Sequence, residues 1–285
     1  MSMNPSSNKR RSYVRISVRA LMVLVLFAGG WMGWLVRSAR VQRAAVAAIQ
    51  RVNGYVEYEW DFTNPNRKPS PRSWWPNWLV DSLGVDYFFN IVAVDLDDRA
   101  TDLELVHVGD LTRLRSLQFS RSEATDSGLA YLQGLTSLKR LTLRSTGVTD
   151  AGLAHLKGLT SLEEIRLGET GCSDAGLAHL SALPHLKILG LANTRVTAAG
   201  LARLKAAGRL EQVIISGTRV TDDDLAHLEG LKNLRLLGLG NAPVSEQVVD
   251  HLRKALPNLT IRRASPSGRV TLPAMNSQTA VESPQ

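Results

Sequence analysis

The 285-residue sequence predicts an α/β solenoid of short stacked units, preceded by one transmembrane helix. Three observations predict it. Segments starting at Thr101, Thr125, Thr149, Ser173, Thr197, Thr221 and Ser245 repeat one pattern, each start 24 residues after the last. Residues 20–36 read ALMVLVLFAGGWMGWLV, seventeen in a row without a charge. Hydrophobic residues make up 44 % of the chain and charged ones 21 %, the balance of a folded protein able to bury a core.

Within one unit, taken from TDAGLAHLKGLTSLEEIRLGETGC at residues 149–172, the spacing assigns each element. Thr or Ser followed by Asp supplies an N-cap hydroxyl and an acid in the first helical turn, both favourable at that end. Leucines three apart (Leu153 and Leu156, Leu177 and Leu180, Leu225 and Leu228) then turn to one helix face. Gly134, Gly158 and Gly230 stand where such helices end. The L-x-x-L-x-L run that follows, as in Leu138, Leu141 and Leu143, has the period of two of a short strand. One unit cannot bury its leucines alone, whereas stacked units share a continuous core. Seven strands about 4.8 Å apart give a curved rod roughly 34 Å long.

On these residues the chain resembles the leucine-rich repeat proteins. The form L-x-x-L-x-L-x-x-T-x-V-T-D-x-G-L is similar to the cysteine-containing subclass, found in F-box-type substrate adaptors and many bacterial proteins. It departs from the family where Asn or Cys is expected: Ser122, Thr146, Thr170, Thr194, Thr218 and Ala242 stand there. A threonine hydroxyl can still bond the neighbouring loop backbone; Ala242 cannot. The resemblance implies a parallel sheet on the concave side, helices on the convex side, and a binding role without chemistry. It names no partner.

The apolar run at 20–36, bracketed by Arg19 and Arg37, spans about 26 Å as a helix, just short of a hydrocarbon core of about 30 Å. Arginine stems can cover the difference, and Trp31 and Trp34 fall toward one end, where an aromatic belt lies. Lys9, Arg10, Arg11, Arg15 and Arg19 precede it, against Arg37, Arg40 and Arg43 after it, which favours the N-terminus inside and the solenoid extracytoplasmic. A cleaved signal peptide shares these features. However, Arg37, Ser38, Ala39 and Arg40 offer no small-x-small site, so an uncleaved signal anchor is expected. Gly29 and Gly33 form a lone GxxxG, a weak pointer to a homodimer.

The expected organisation is a basic cytoplasmic tail at 1–19, the anchor at 20–36, a juxtamembrane linker at 37–51 and an N-terminal capping region at 52–100. Seven repeats follow at 101–263 and a disordered Ser/Pro/Thr-rich tail at 264–285. The capping region holds Trp60, Trp74, Trp75 and Trp78, expected to seal the first leucine layer. VNGYVEYEW alternates like an edge strand, and residues 91–96 look like a degenerate first repeat strand.

Net charge is +8, but residues 1–51 hold nine Lys/Arg and no acid, so the excess belongs to the N-terminus. The body is nearly balanced, and no nucleic-acid partner is expected. One cysteine, Cys172, excludes a disulfide framework. It occupies the position of Val148, Val196, Val220 and Val244 and reads as a small buried hydrophobe. His107, His155, His179, His227 and His251 share the seventh repeat position, but no acid or cysteine accompanies them in phase, so no metal is expected. Asp222, Asp223 and Asp224 lack the alternation and glycine of a calcium loop. No nucleophile, zinc or phosphate-loop motif is present; neither catalysis nor a cofactor is expected.

The remaining candidate is the outward side of the strands. Gln118, Arg140, Arg144, Glu164 and Arg166 form a polar, arginine-bearing front, while Ile188, Ile214 and Leu236 offer apolar contact behind it. The expectation is a membrane-tethered protein binding a protein or envelope component through this concave face. A cytoplasmic-facing adaptor resembling F-box-type receptors and a purely structural envelope protein stay open as alternatives.

Overall fold

The computed structural model describes residues 18–59, 77–204 and 208–263. Residues 1–17 of the basic tail, Trp60, Trp74, Trp75 and the segment 264–285 lie outside these.

The repeats fold as their spacing requires. Helices α3 (Asp102–Val108), α4 (Asp126–Leu129), α5 (Asp150–Leu153), α6 (Asp174–Leu180), α7 (Ala198–Arg203), α8 (Asp222–Leu225) and α9 (Glu246–Ala255) alternate with strands. The strands are β3 (Ser116–Phe119), β4 (Arg140–Thr142), β5 (Glu164–Arg166), β6 (Ile188–Gly190), β7 (Gln212–Ile214), β8 (Leu236–Gly240) and β9 (Thr260–Arg263). Ahead of them lie α1 (Val18–Arg51), β1 (Tyr55–Tyr58), α2 (Asn77–Leu83) and β2 (Ile91–Leu96). The nine strands of the described residues form one sheet in chain order, β1 antiparallel to β2 and each later pair parallel. The 24-residue step is read directly in the register, where Leu117, Leu141, Ile165, Leu189, Val213 and Leu237 pair in turn. These side chains and the helix leucines make one buried core running the length of the sheet.

Four threonines at the family's variable position do what a hydroxyl can: Thr146, Thr170, Thr194 and Thr218 each donate to the carbonyl three residues back, at 2.6–2.8 Å. Ser122 does not, and its buried Oγ has no partner. Cys172 is buried, and burial pushes its thiol up to about 12, so it stays a protonated core group.

The front end differs from the sequence-based expectation. Residues 37–51, expected as a linker, continue α1 without a break, and this half of the helix closes the solenoid. Ala39, Ala45 and Ile49 are fully buried there. Gln42 is buried as well, accepting from the Ile91 N–H at 2.9 Å and donating to the Asp86 carbonyl at 3.1 Å. Arg43 donates to the Leu83 carbonyl and pairs with Asp86, which also accepts from the Tyr58 hydroxyl. Gly54 ends the unit because a side chain there would press on Ile49 and the Asp95 carbonyl. Trp78, expected to seal the leucine layer, is 67 % exposed. The seal is aliphatic: small alanines let the helix approach the sheet closely, which an indole would prevent.

The anchor expected at 20–36 needs correction as well. It lies within α1, and among the described residues no helix is long and apolar enough to cross a membrane. Met22, Val25, Leu26, Phe27, Trp31, Met32 and Trp34 are exposed along it, and nothing lies within 4 Å of where side chains on Gly29 and Gly33 would sit.

Candidate functional site

The open face of the sheet collects outward residues into columns running across the strands. Ser116, Arg140, Glu164, Ile188, Gln212, Leu236 and Thr260 pair in register as one column. Gln118, Thr142, Arg166, Gly190, Ile214 and Gly238 form the next. Strand periodicity places both columns on the side away from the core.

The structure sorts the expected site residues by what they already hold. Arg140 is exposed and has no ion-pair partner among the described residues. Gln118 is exposed and donates to Asp95 at 3.3 Å, whose carboxyl is raised chiefly by its own burial. Arg144 pairs with Glu169 at 2.7 Å, and Glu169 also accepts from the Ser145 hydroxyl. These hydrogen bonds, Ser145 first and Arg144 next, hold the Glu169 carboxyl below its ordinary value. Arg166 donates to Glu164 at 2.5 Å, and Glu164 is only 8 % exposed. The arginine cluster is therefore partly neutralised from within, and Arg140 alone of the three has no internal carboxylate.

The apolar half also differs from expectation. Ile188 and Ile214 are buried at 8 % and 9 % exposure, so they cannot anchor a partner. Ile214 lies between Gly190 and Gly238 in its column, and a side chain on Gly238 would stand 3.3 Å from it. Leu236 is half-buried at the rear.

One column was missed in the sequence because it takes the first variable place of L-x-x-L-x-L, ahead of the strand alternation: Arg115, Lys139, Glu163, Lys187 and Glu211, each one residue before its strand starts. They line a shallow groove of about 630 Å³ together with Arg140, Glu164, Ile188 and Gln212. Glu163 sits between two ammonium groups, Lys139 Nζ at 3.0 Å from Oε1 and Lys187 Nζ at 3.1 Å from Oε2. The Lys139 hydrogen bond, with that of Lys187 behind it, holds the Glu163 carboxyl low. A charged residue at every 24-residue interval was the signal that could have found this column.

The histidines on the helix side make separate pairs: His155 with Gln133 at 2.7 Å and His251 with Glu229 at 3.2 Å. Among the described residues, no group of three His, Cys, Asp or Glu is arranged to hold a metal ion.

No family model matches this chain, and no curated protein matches it. Solved structures do. An internalin C2 from Listeria monocytogenes shares 25 % identity at a TM-score of 0.51, covering 62 % of this chain and 73 % of its own. An internalin F from the same organism shares 18 % identity at a TM-score of 0.36, covering 63 % of this chain and 58 % of its own. Internalins are leucine-rich repeat proteins, and in its α/β architecture and parallel sheet this chain is similar to internalin C2: its fold is a leucine-rich repeat solenoid.

Proposed function

We propose a non-catalytic binding protein that takes a protein or envelope component on the open sheet face and is held at a membrane by the front half of α1. The carrying observation is the charged groove around Lys139, Arg140, Glu163 and Lys187, displayed on strands whose other side is a continuous dry core. Such backing fixes side chains in place and lowers the ordering cost of association. The likeness to internalin C2 supports a protein-binding role. The repeats keep the form of the cysteine-containing subclass.

The tether is supported by the exposed apolar side chains of Val25, Leu26, Phe27, Trp31 and Trp34, which water solvates poorly. The greater basic charge before residue 20 suits an anionic membrane surface.

A photo-crosslinking residue at position 140 tests the binding face, with position 157 on the helix side as its control. The expected result is a defined crosslinked product from 140 and none from 157; the reverse sinks the reading. Protease access to a C-terminal tag tests the address. Loss of the tag once the outer barrier is opened supports an outward solenoid, while protection until the inner membrane breaks reverses it.

A further inference from the structure

Building on the reading of the sheet face as the binding surface, we infer that its front half takes an acidic polypeptide segment, and that Glu163 is the chain's own stand-in for the partner's carboxylate. Lys139, Glu163 and Lys187 come from three successive repeats, so the two lysines are two strands apart, roughly 10 Å. One carboxylate between them accepts from both ammonium groups through separate oxygens and leaves one positive charge uncompensated. Arg140 adds a second cation to the same groove, with no ion partner among the described residues. Arg115 adds a third, whose partner Glu59 is exposed and 3.3 Å away.

The neighbouring acid cannot balance them, because Glu164 is buried against Arg166. Exposed pairs of this kind are individually weak, so an incoming carboxylate can replace Glu163 between the lysines at little cost. Glu211 marks the rear limit of the cationic stretch.

The same charges favour a polypeptide over a nucleic acid. Glu163, Glu164 and Glu211 interrupt the cations, which a continuous phosphate backbone meets as repulsion and a polypeptide can match sign by sign. No aromatic ring lines the groove for base stacking.

The test is fluorescence anisotropy of the full chain with a labelled alternating Glu/Ser peptide, its Lys/Ser counterpart and an oligothymidine of equal length. The Glu peptide is expected to bind best, and more weakly as salt rises from about 50 to 300 mM. Replacing both lysines, Lys139→Ala with Lys187→Ala, is expected to weaken it tenfold or more. Glu163→Gln removes the internal competitor and is expected to tighten it severalfold. Lys157→Ala, on the helix side, should leave it unchanged.

Equal or better binding of the Lys peptide or oligothymidine overturns the inference, as does a Glu163→Gln variant that binds no more tightly. The two levels separate cleanly. Peptide binding that survives the double lysine variant and falls with Lys157→Ala overturns the choice of face. A specific crosslink from position 140 without any peptide binding keeps the face and overturns the acidic partner.

Discussion

The front and rear of the solenoid answer one problem, the unpaired N–H groups at each helix start, in different ways. In the front half an aspartate reaches across from the preceding repeat. Asp102, Asp126, Asp150 and Asp174 each accept from the backbone N–H and the hydroxyl of the cap residue 23 positions on, at 2.5–2.8 Å. Gly128, Gly152, Gly176 and Gly200 sit at the fourth place of the receiving repeat, where any side chain would overlap that carboxylate. At the rear, Ala198 stands where the next aspartate belongs, and Asp224 fills the glycine place. Asp224 bonds the Thr221 N–H at 2.6 Å within its own repeat. The first repeat has no predecessor to draw on, and Glu104 does the same for Thr101 at 2.9 Å. The acid and the glycine are thus one device: an acid from outside needs space, and without it the space holds an acid.

The last repeat shows a third arrangement. Ser245 takes Asp222 at 2.7 Å although Val248 holds the fourth place. Its cap backbone is turned to φ −75 rather than −113 for Thr221, and the Ser245 Oγ accepts from the Val248 N–H. The sheet face divides similarly, charged groups over β4 and β5 giving way to Gly190, Gly238 and Gly240 behind.

Exchanging the two devices gives the largest expected effect. Gly152→Asp alone puts two carboxylates in one space and should cost roughly 2–4 kcal/mol in chemical denaturation. Adding Asp126→Ala converts the front repeat to the rear form and should recover most of that loss. At the rear, Ala198→Asp should destabilise and Asp224→Gly relieve it. Additive losses in either double variant would show that the residues do not act as a pair.

The closed front end should cost less to breach. Gln42→Ala leaves the Ile91 N–H and Asp86 carbonyl without partners and is expected to cost about 1–3 kcal/mol. Selective hydrogen-exchange loss at β2 would locate the effect, whereas a change confined to the rear strands would refute it.

Smaller still is the threonine column. Thr170→Val should cost about 1 kcal/mol, while Ser122→Ala, which removes an unbonded hydroxyl, should cost close to nothing. Equal melting shifts would refute the distinction.

The smallest effect is in pH. Glu163 and Glu169 bind protons more weakly folded than unfolded, since both lie below the ordinary 4.5. Their contribution is full above pH 4.5 and is lost as pH falls through the depressed folded values. Asp95, raised by burial, has the opposite sign: its contribution is full below 3.8 and is lost as pH rises through its folded value. Glu163→Gln with Glu169→Gln should flatten the acid limb of the stability curve; an unchanged limb would remove these two groups from it.

The repeat boundaries, caps and inward leucines were legible because periodicity is a local property, and 24-residue phasing places each side chain without knowing its neighbours. Leu141 and Leu189 needed no more than that. The face was only half legible. The strand pattern marks Arg144, Arg166, Ile188 and Ile214 as outward, but outward does not mean free. Whether an arginine meets Glu169 or Glu164, and whether an isoleucine is covered, depends on residues about one repeat away and on glycines that set how closely they approach. The capping half of α1 was illegible for a similar reason. Ala39, Gln42, Ala45 and Ile49 read as an ordinary helix stripe following an apolar run, with nothing local to say which surface they meet.

The sequence by itself determined the unit, its length, the seven starts and the layer of leucines, because each follows from spacing along the chain. Only the tertiary structure decided what closes the front end, which charges cancel, and which cation is left over. Those outcomes depend on distances between repeats, where a few ångströms separate a carboxylate already held from one that a partner can supply.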